Sequence, residues 1–471
     1  VDKNEVLSGK AGSGNTEVLL SIDDLNAELT KINEDSLKRF PRFRWLNKDA
    51  FTFTYNNRLF RFDVKIMQLR ELNSYPEGAG NVSINYENMA IAYTLEDNIY
   101  VSVEGHQVQV TSDGGNGIVY GQSVHRNEFG INKGLFWSPK GNYLAFYRMD
   151  ETMVTEYPVV DITKRIAEVD PVRYPMAGMT SHEVTLGVFS LSSKLSEYID
   201  TGEPADQYLT CITWGPGERM IYTGILNRDQ NHLKMKQYDA RTGNYVRTLF
   251  EEQHEKYVEP EHPLHFLKSK PELFLWLSER DGYKHLYLYD IYGKMVGQLT
   301  SGNWMITNLL GTGPKDRWVY FNATIDGVLN NNIYALDINS GKIVKLSSPD
   351  GTHRGILNKN GKYVIDIYSD TTTTRVYQIV DKKGKIVQVL QEDHDPLGDY
   401  RLGDLSIFPL KADDGTDLYC RMIRPVDFDP SKKYPVIVYV YGGPHAQLVT
   451  NSWLGGAGLF LNYLSTKGYI V

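Results

Sequence analysis

Few residues of this 471-residue chain are of a type and in a place to do chemistry. The first is Glu128, in the run Val124-His125-Arg126-Asn127-Glu128-Phe129-Gly130. Taken alone, a carboxylate two positions after Arg126 reads as half of a surface ion pair. The second is Tyr441, which ends the apolar run over residues 436–441 and precedes Gly442-Gly443-Pro444-His445. A tyrosine in that place commonly belongs to a core, but the glycine–proline turn would expose its hydroxyl. A nucleophilic serine would sit in the elbow G-x-S-x-G, and that motif does not occur. His125, His285 and His445 follow no such elbow, so none fits the chain order Ser, Asp, His of that fold. They read as polar turn or cavity-lining residues. Cys211 and Cys420 are too few for a disulfide framework and too far apart for a zinc pattern, which leaves two buried or half-buried thiols. Gly114-Gly115-Asn116-Gly117 and Gly311-Thr312-Gly313 resemble phosphate loops only in glycine content and read as turns between strands. Glu279, Arg280 and Asp281 read as an ion network at a sheet edge.

The elements that must position these residues repeat. A strand ending in Asp and a turn recurs as LKMKQYDARTGN, HLYLYDIYGK, NIYALDINSGK and RVYQIVDKKGK, with Asp239, Asp290, Asp337 and Asp381 as markers. Their period is roughly 45 to 50 residues, in the range of repeat architectures. A second marker, a tight turn before an alternating apolar run, precedes most of these strands: WSPKGNYLAFY, WGPGERMIYTG, GPKDRWVYFNA and NKNGKYVIDIY. Two hairpins per repeat give a four-stranded antiparallel unit that buries its faces only by stacking on its neighbours, which is a propeller blade. Helical periodicity is nearly absent from residues 50–400, which argues against a helical solenoid. Seven repeats are visible, with a long insertion between the second and third. Tyrosine is abundant, 32 residues, and suits half-buried pleated surfaces.

After about Ser406 the repeat stops. Residues 411–425 read as a hairpin turning at Asp414-Gly415, and residues 436–441 as a strand buried on both faces. A helix near residues 459–465 and a strand opening at Tyr469 would follow, the beginning of a doubly wound sheet. A short capped helix is expected over residues 23–34, and a linker over 395–403. The net charge of −8, with no basic block, argues against nucleic acid, and no run of about 18 apolar residues occurs to span a membrane.

Three segments resemble one family. KKYPVIVYVYGGPHAQLV (residues 432–449) resembles the opening of the α/β-hydrolase domain in the dipeptidyl peptidase IV branch of the prolyl oligopeptidase superfamily. SERDGYKHLYLYD (278–290) is similar to a propeller motif of that branch, and residues 124–151 resemble its substrate-anchoring segment. The wording is most similar to the bacterial prolyl tripeptidyl peptidase subgroup. The resemblance implies an eight-bladed propeller over residues 1–405, trimmed at its N-terminal end, and a truncated α/β-hydrolase domain over 406–471. It implies a serine exopeptidase that releases N-terminal di- or tripeptides after proline, with no metal or organic cofactor. Its partners would be peptides with proline at the second or third position, a homodimer is a candidate assembly, and the compartment would be a bacterial periplasm or the exterior. Glu128, with Arg126 and Asn127 beside it, would bind the substrate's free α-ammonium, and the Tyr441 hydroxyl would donate to the oxyanion. Dipeptidyl peptidases of this family carry two adjacent acidic residues where this chain has Asn127-Glu128, which leans toward tripeptide release. The triad would lie beyond Val471, so residues 1–471 alone are expected to be inactive. The competing readings are a prolyl endopeptidase or acyl-peptide hydrolase, which would lack an amine anchor, and a non-catalytic propeller that serves as an interaction platform.

Overall fold

In the computed structural model, which describes residues 4–471, the repeats are seven sheets in chain order. The blades occupy residues 43–74, 80–109, 118–198, 208–253, 265–298, 306–345 and 352–392. Six are four-stranded antiparallel meanders. The third has five strands, because Ile118–Tyr120 and Leu135–Trp137 both pair with Tyr143–Asp150. The insertion foreseen between the second and third repeats therefore lies inside the third blade. It also supplies a separate hairpin, Glu156–Asp161 with Glu168–Arg173. An eighth four-stranded blade is not found among the described residues. A two-stranded sheet, Glu5–Gly9 with Thr16–Ser21, lies beside the seventh blade instead, where the Gly12 N–H donates to Gln388 Oε1 at 3.1 Å.

The repeat markers have a local cause. Each marker aspartate ends the third strand of its blade and turns the chain by accepting from backbone N–H groups two to four residues on. Asp290 Oδ1 accepts from Tyr292 and Lys294, Asp381 Oδ1 from Lys383 and Lys385, Asp239 from Arg241 and Asp337 from Asn339. This is the Asx turn, in which a short carboxylate mimics a backbone turn. Burial happens between blades rather than within one centre. One apolar cluster joins blades three and four through Tyr147, Leu186, Leu209 and Tyr238, and another joins blades four and five through Leu233, Phe274 and Trp276. Tyrosine serves these seams because its ring fills apolar space while its hydroxyl reaches a backbone carbonyl of the next blade. Tyr147 donates to Leu209 O at 2.8 Å and Tyr320 to Gly361 O at 2.9 Å.

The N-terminal helix spans Ile22–Lys31, capped by Ser21 and Asp24 in a reciprocal capping box. Beyond the seventh blade, Leu405–Lys411 pairs with Asp417–Ile423 around the Gly415 turn. Residues 436–441 are not the buried strand the apolar run predicts. Only Val436 makes a bridge, a parallel one to Ile470, and Val438 and Val440 are 82% and 78% exposed. A strand of a parallel sheet is buried only where neighbours flank it and helices cover both faces, and among the described residues nothing covers 438–441. The connection is nevertheless as expected. From the bridge at Val436 the chain passes through the helix Leu459–Thr466 and returns at Ile470, a β–α–β crossover. Val471 exchanges backbone hydrogen bonds with Ile423, so residues 470–471 lie between the hairpin and residue 436.

Candidate active site

Glu128 is carried by a turn that joins the first two strands of the third blade. His125, Arg126 and Asn127 have φ of +53°, +55° and +63°, and Phe129 has +54°. Left-handed backbone at non-glycine residues costs of order 1–3 kcal/mol each, and four such residues within five positions persist only where the surroundings over-determine them. Arg126 is engaged elsewhere than with Glu128: Nη2 donates to Arg173 O at 2.9 Å, and the guanidinium lies 4.3 Å from the Tyr174 ring centroid. Both partners belong to the inserted hairpin or its exit. The Asn127 side chain accepts from Ser123 Oγ. Glu128 is exposed, and among the described residues its carboxylate has no hydrogen bond or ion pair. The surface ion pair that the sequence alone suggested is therefore not formed.

What holds the turn is a loop that the sequence reading passed over, residues 258–262, between blades four and five. A Cβ on Gly130, at φ +70°, would lie 2.0 Å from the Glu261 carbonyl oxygen, so the two backbones touch. Thr210 bonds both segments: its hydroxyl is 2.6 Å from Phe129 O and 3.3 Å from Pro260 O. Directly after Thr210, Cys211 and Ile212 form a bulge in the first strand of blade four, a device that re-aims side chains beside functional sites. Cys211 Sγ is 3.2 Å from Pro260 O, and burial pushes its thiol up to about 12, so it is an inert structural cysteine.

The same loop also meets the C-terminal segment. His445 Nε2 lies 3.0 Å from Glu259 Oε2, which ties the glycine loop after Tyr441 to the propeller. Further along, Gln447 donates to Val328 O, Asn451 to Leu329 O, and the Trp453 N–H to Ser369 Oγ, anchoring the segment on blades six and seven. Tyr441 itself is 58% exposed. Glu128 and Tyr441 thus stand on segments that each touch one loop, although 313 positions separate them in sequence. His285, by contrast, is no cavity residue. It is fully buried at the start of a strand, bonded to Thr300 Oγ1 and Gly302 O.

Beside the loop lies a cavity of about 140 Å³ lined by Tyr257, Glu259, His262, Trp276, Arg280 and Lys284. Here the acidic and basic residues of the 279–284 stretch form an ion network. Arg280 pairs with Glu252, donates to Tyr289 Oη at 2.7 Å and lies 4.4 Å from the Tyr287 ring centroid. Lys284, nearly buried, bridges Glu261 and Glu279. Burial opposes ionisation of Glu261, but Lys284 outweighs it and holds the carboxyl below its usual range. Of these residues only Glu279, Arg280 and Asp281 were visible beforehand. The Glu259-Pro260-Glu261-His262 run, dense in charge within a turn, was the available signal for the loop.

Seven antiparallel sheets in chain order, with a C-terminal β–α–β segment anchored on the later blades, define a β-propeller with an appended α/β segment. The model for the dipeptidyl peptidase IV N-terminal region matches residues 10–375, and the chain belongs to that family. Among curated relatives, a probable dipeptidyl peptidase 4 of Aspergillus fumigatus is 25% identical over 439 residues, covering 86% of this chain and 56% of its own length. The dipeptidyl peptidase 4 of Arthroderma otae is 27% identical over 390 residues, covering 77% of this chain and 50% of its own length. The chain therefore spans about half the length of the curated relatives it matches. A crystal structure from Bacteroides ovatus, provisionally described as a dipeptidyl aminopeptidase IV, superposes with a TM-score of 0.94 at 40% identity, covering 99% of this chain and 69% of that one. The dipeptidyl peptidase 4 of Porphyromonas gingivalis gives a TM-score of 0.83 at 25% identity, covering all of this chain and 68% of that one. Among the described residues, no helix is long and apolar enough to cross a membrane.

Proposed function

We propose that this chain is the propeller and the beginning of the catalytic domain of a serine exopeptidase that removes N-terminal di- or tripeptides after proline. Glu128 would bind the substrate's α-ammonium, and Tyr441 would donate to the oxyanion as the carbonyl after proline is attacked. The observation that carries the reading is the exposed Glu128 carboxylate, held with no partner among the described residues on a strained turn that touches the same loop as the Tyr441 segment. A carboxylate serving the fold alone has no use for so costly a backbone. An ammonium would supply its missing charged hydrogen bond, worth about 1.5–3 kcal/mol. Asn127 is already bonded to Ser123 and offers no second charge, which favours X-X-Pro over X-Pro release. In the intact enzyme, Glu128→Gln should cost about 2 kcal/mol, roughly thirty-fold in kcat/KM, on free-amine peptides and almost nothing on N-acetylated ones. If the wild type cleaves both kinds equally well, the anchor is wrong and the endopeptidase reading replaces it.

A further inference from the structure

The strained turn has an anchor inside the protein. His125, its first residue, is buried, and its ring is boxed between His182, just before the strand Glu183–Ser190, and Tyr208 of blade four, with centroids 5.0 and 4.9 Å away. His182 Nε2 lies 3.3 Å from the His125 backbone N and 3.2 Å from His125 Nδ1. The backbone N–H can only donate, so His182 Nε2 is the acceptor and carries no proton. His125 Nδ1 must then be the second donor to it. That leaves His125 Nε2 as the acceptor for the Leu209 N–H, 3.4 Å away. The hydrogen-bond roles close only when both imidazoles are neutral with their protons on Nδ1. A proton on His182 Nε2 would face two donors, and one on His125 Nε2 would face the Leu209 N–H. The remaining charges nearby reinforce neutrality: Arg228 faces both rings and Arg126 faces His182, and neither is an acceptor. Tyr208 is the other polar group against the pair, and its hydroxyl oxygen accepts from Gln230 Nε2 at 3.0 Å.

We propose that His125 and His182 are positioning residues for amine recognition: hydrogen-bonded to each other and to Leu209, they hold the left-handed turn that presents Glu128. The inference rests on the amine-anchoring role given to Glu128. Burial pushes His125 well below its ordinary value and His182 down to about 4, so the clamp is closed at neutral pH. His182→Leu removes the acceptor and releases the turn. His182→Gln keeps an amide oxygen that can accept from both His125 donors.

The test measures kcat/KM for an X-X-Pro peptide and its N-acetylated form in the intact enzyme, and reports their ratio. His182→Leu should lower the free-amine preference about ten- to a hundred-fold, through KM, the scale expected when a binding group is displaced by about an ångström. His182→Gln should retain most of the preference, and in a Glu128→Gln background His182→Leu should not lower it further. An unchanged ratio in folded His182→Leu, with the ratio lost in Glu128→Gln, overturns the clamp alone. An unchanged ratio in Glu128→Gln overturns the anchor and the clamp with it. If His182→Leu does not fold, mass-spectrometric exchange at the histidine C2–H of the wild type decides. Both histidines should titrate well below pH 6.5, and an ordinary titration of either refutes the proposal.

Discussion

Gly130→Ala and Gly178→Ala introduce the same methyl group at the same kind of backbone, and the structure separates their consequences. Both glycines have positive φ, +70° and +77°. Either alanine therefore incurs the left-handed penalty, about 1–2 kcal/mol. At Gly178 nothing lies within 4 Å of the new Cβ, and the cost ends there. At Gly130 the Cβ would sit 2.0 Å from Glu261 O, 2.6 Å from its carbonyl carbon and 2.9 Å from its Cα. All three are backbone atoms, so no side chain can swing away. Either the Glu128 turn or loop 258–262 must shift, and forced overpacking adds about 1–3 kcal/mol. Urea unfolding followed by tryptophan fluorescence should show a loss of about 1 kcal/mol for Gly178→Ala and about 3–4 kcal/mol for Gly130→Ala. Since Gly130 follows Glu128 by two residues, Gly130→Ala should also reduce the free-amine preference of the intact enzyme. Equal destabilisation by the two substitutions would refute the close approach of the turn to the loop, and with it the geometric basis of the site.

Tyr441→Phe in the intact enzyme should lower kcat by about a hundred-fold with KM little changed, whereas a tenfold rise in KM at constant kcat would assign Tyr441 to ground-state binding. Residues 1–471 alone should hydrolyse no X-X-Pro substrate and take no fluorophosphonate label, and stoichiometric labelling of any serine would refute this. Lys284→Met should cost about 3–5 kcal/mol in urea unfolding at pH 7, because it strands the half-buried Glu261 carboxylate. That penalty should shrink as pH falls through the depressed value of Glu261, since the wild-type pair loses its ion as the carboxyl protonates. The unfolded chain protonates His125 and His182 near pH 6.5 while the fold keeps them neutral, so stability should fall below that pH by up to about 1.4 kcal/mol per unit for each histidine, levelling for His182 near pH 4. His182→Gln should flatten that slope relative to the wild type, and unchanged urea midpoints across the range would contradict it.

The blades were legible in the sequence because their signals are local. An aspartate turning its own backbone, a Pro–Gly turn and a period-2 apolar run each act within about ten residues, so Asp239, Asp290, Asp337 and Asp381 marked strand ends without knowledge of the fold. The turn at Gly415 and a short helix were readable for the same reason, although the helix expected over 23–34 spans Ile22–Lys31 and its cap is Ser21 with Asp24. The run at 436–441 failed as a buried strand because burial belongs to neighbours, and composition alone does not supply them. The site was named but could not be assembled. Glu128 and Tyr441 were singled out by the family resemblance, yet the partner of Arg126 turned out to be the inserted hairpin, 47 residues on, and not Glu128 two residues away. Only tertiary structure decided that His125 meets His182, that Gly130 touches Glu261 and that Glu259 meets His445. These contacts join segments 57 to 186 residues apart, and a side chain's spacing in sequence carries no information on where a succession of packed blades will bring it.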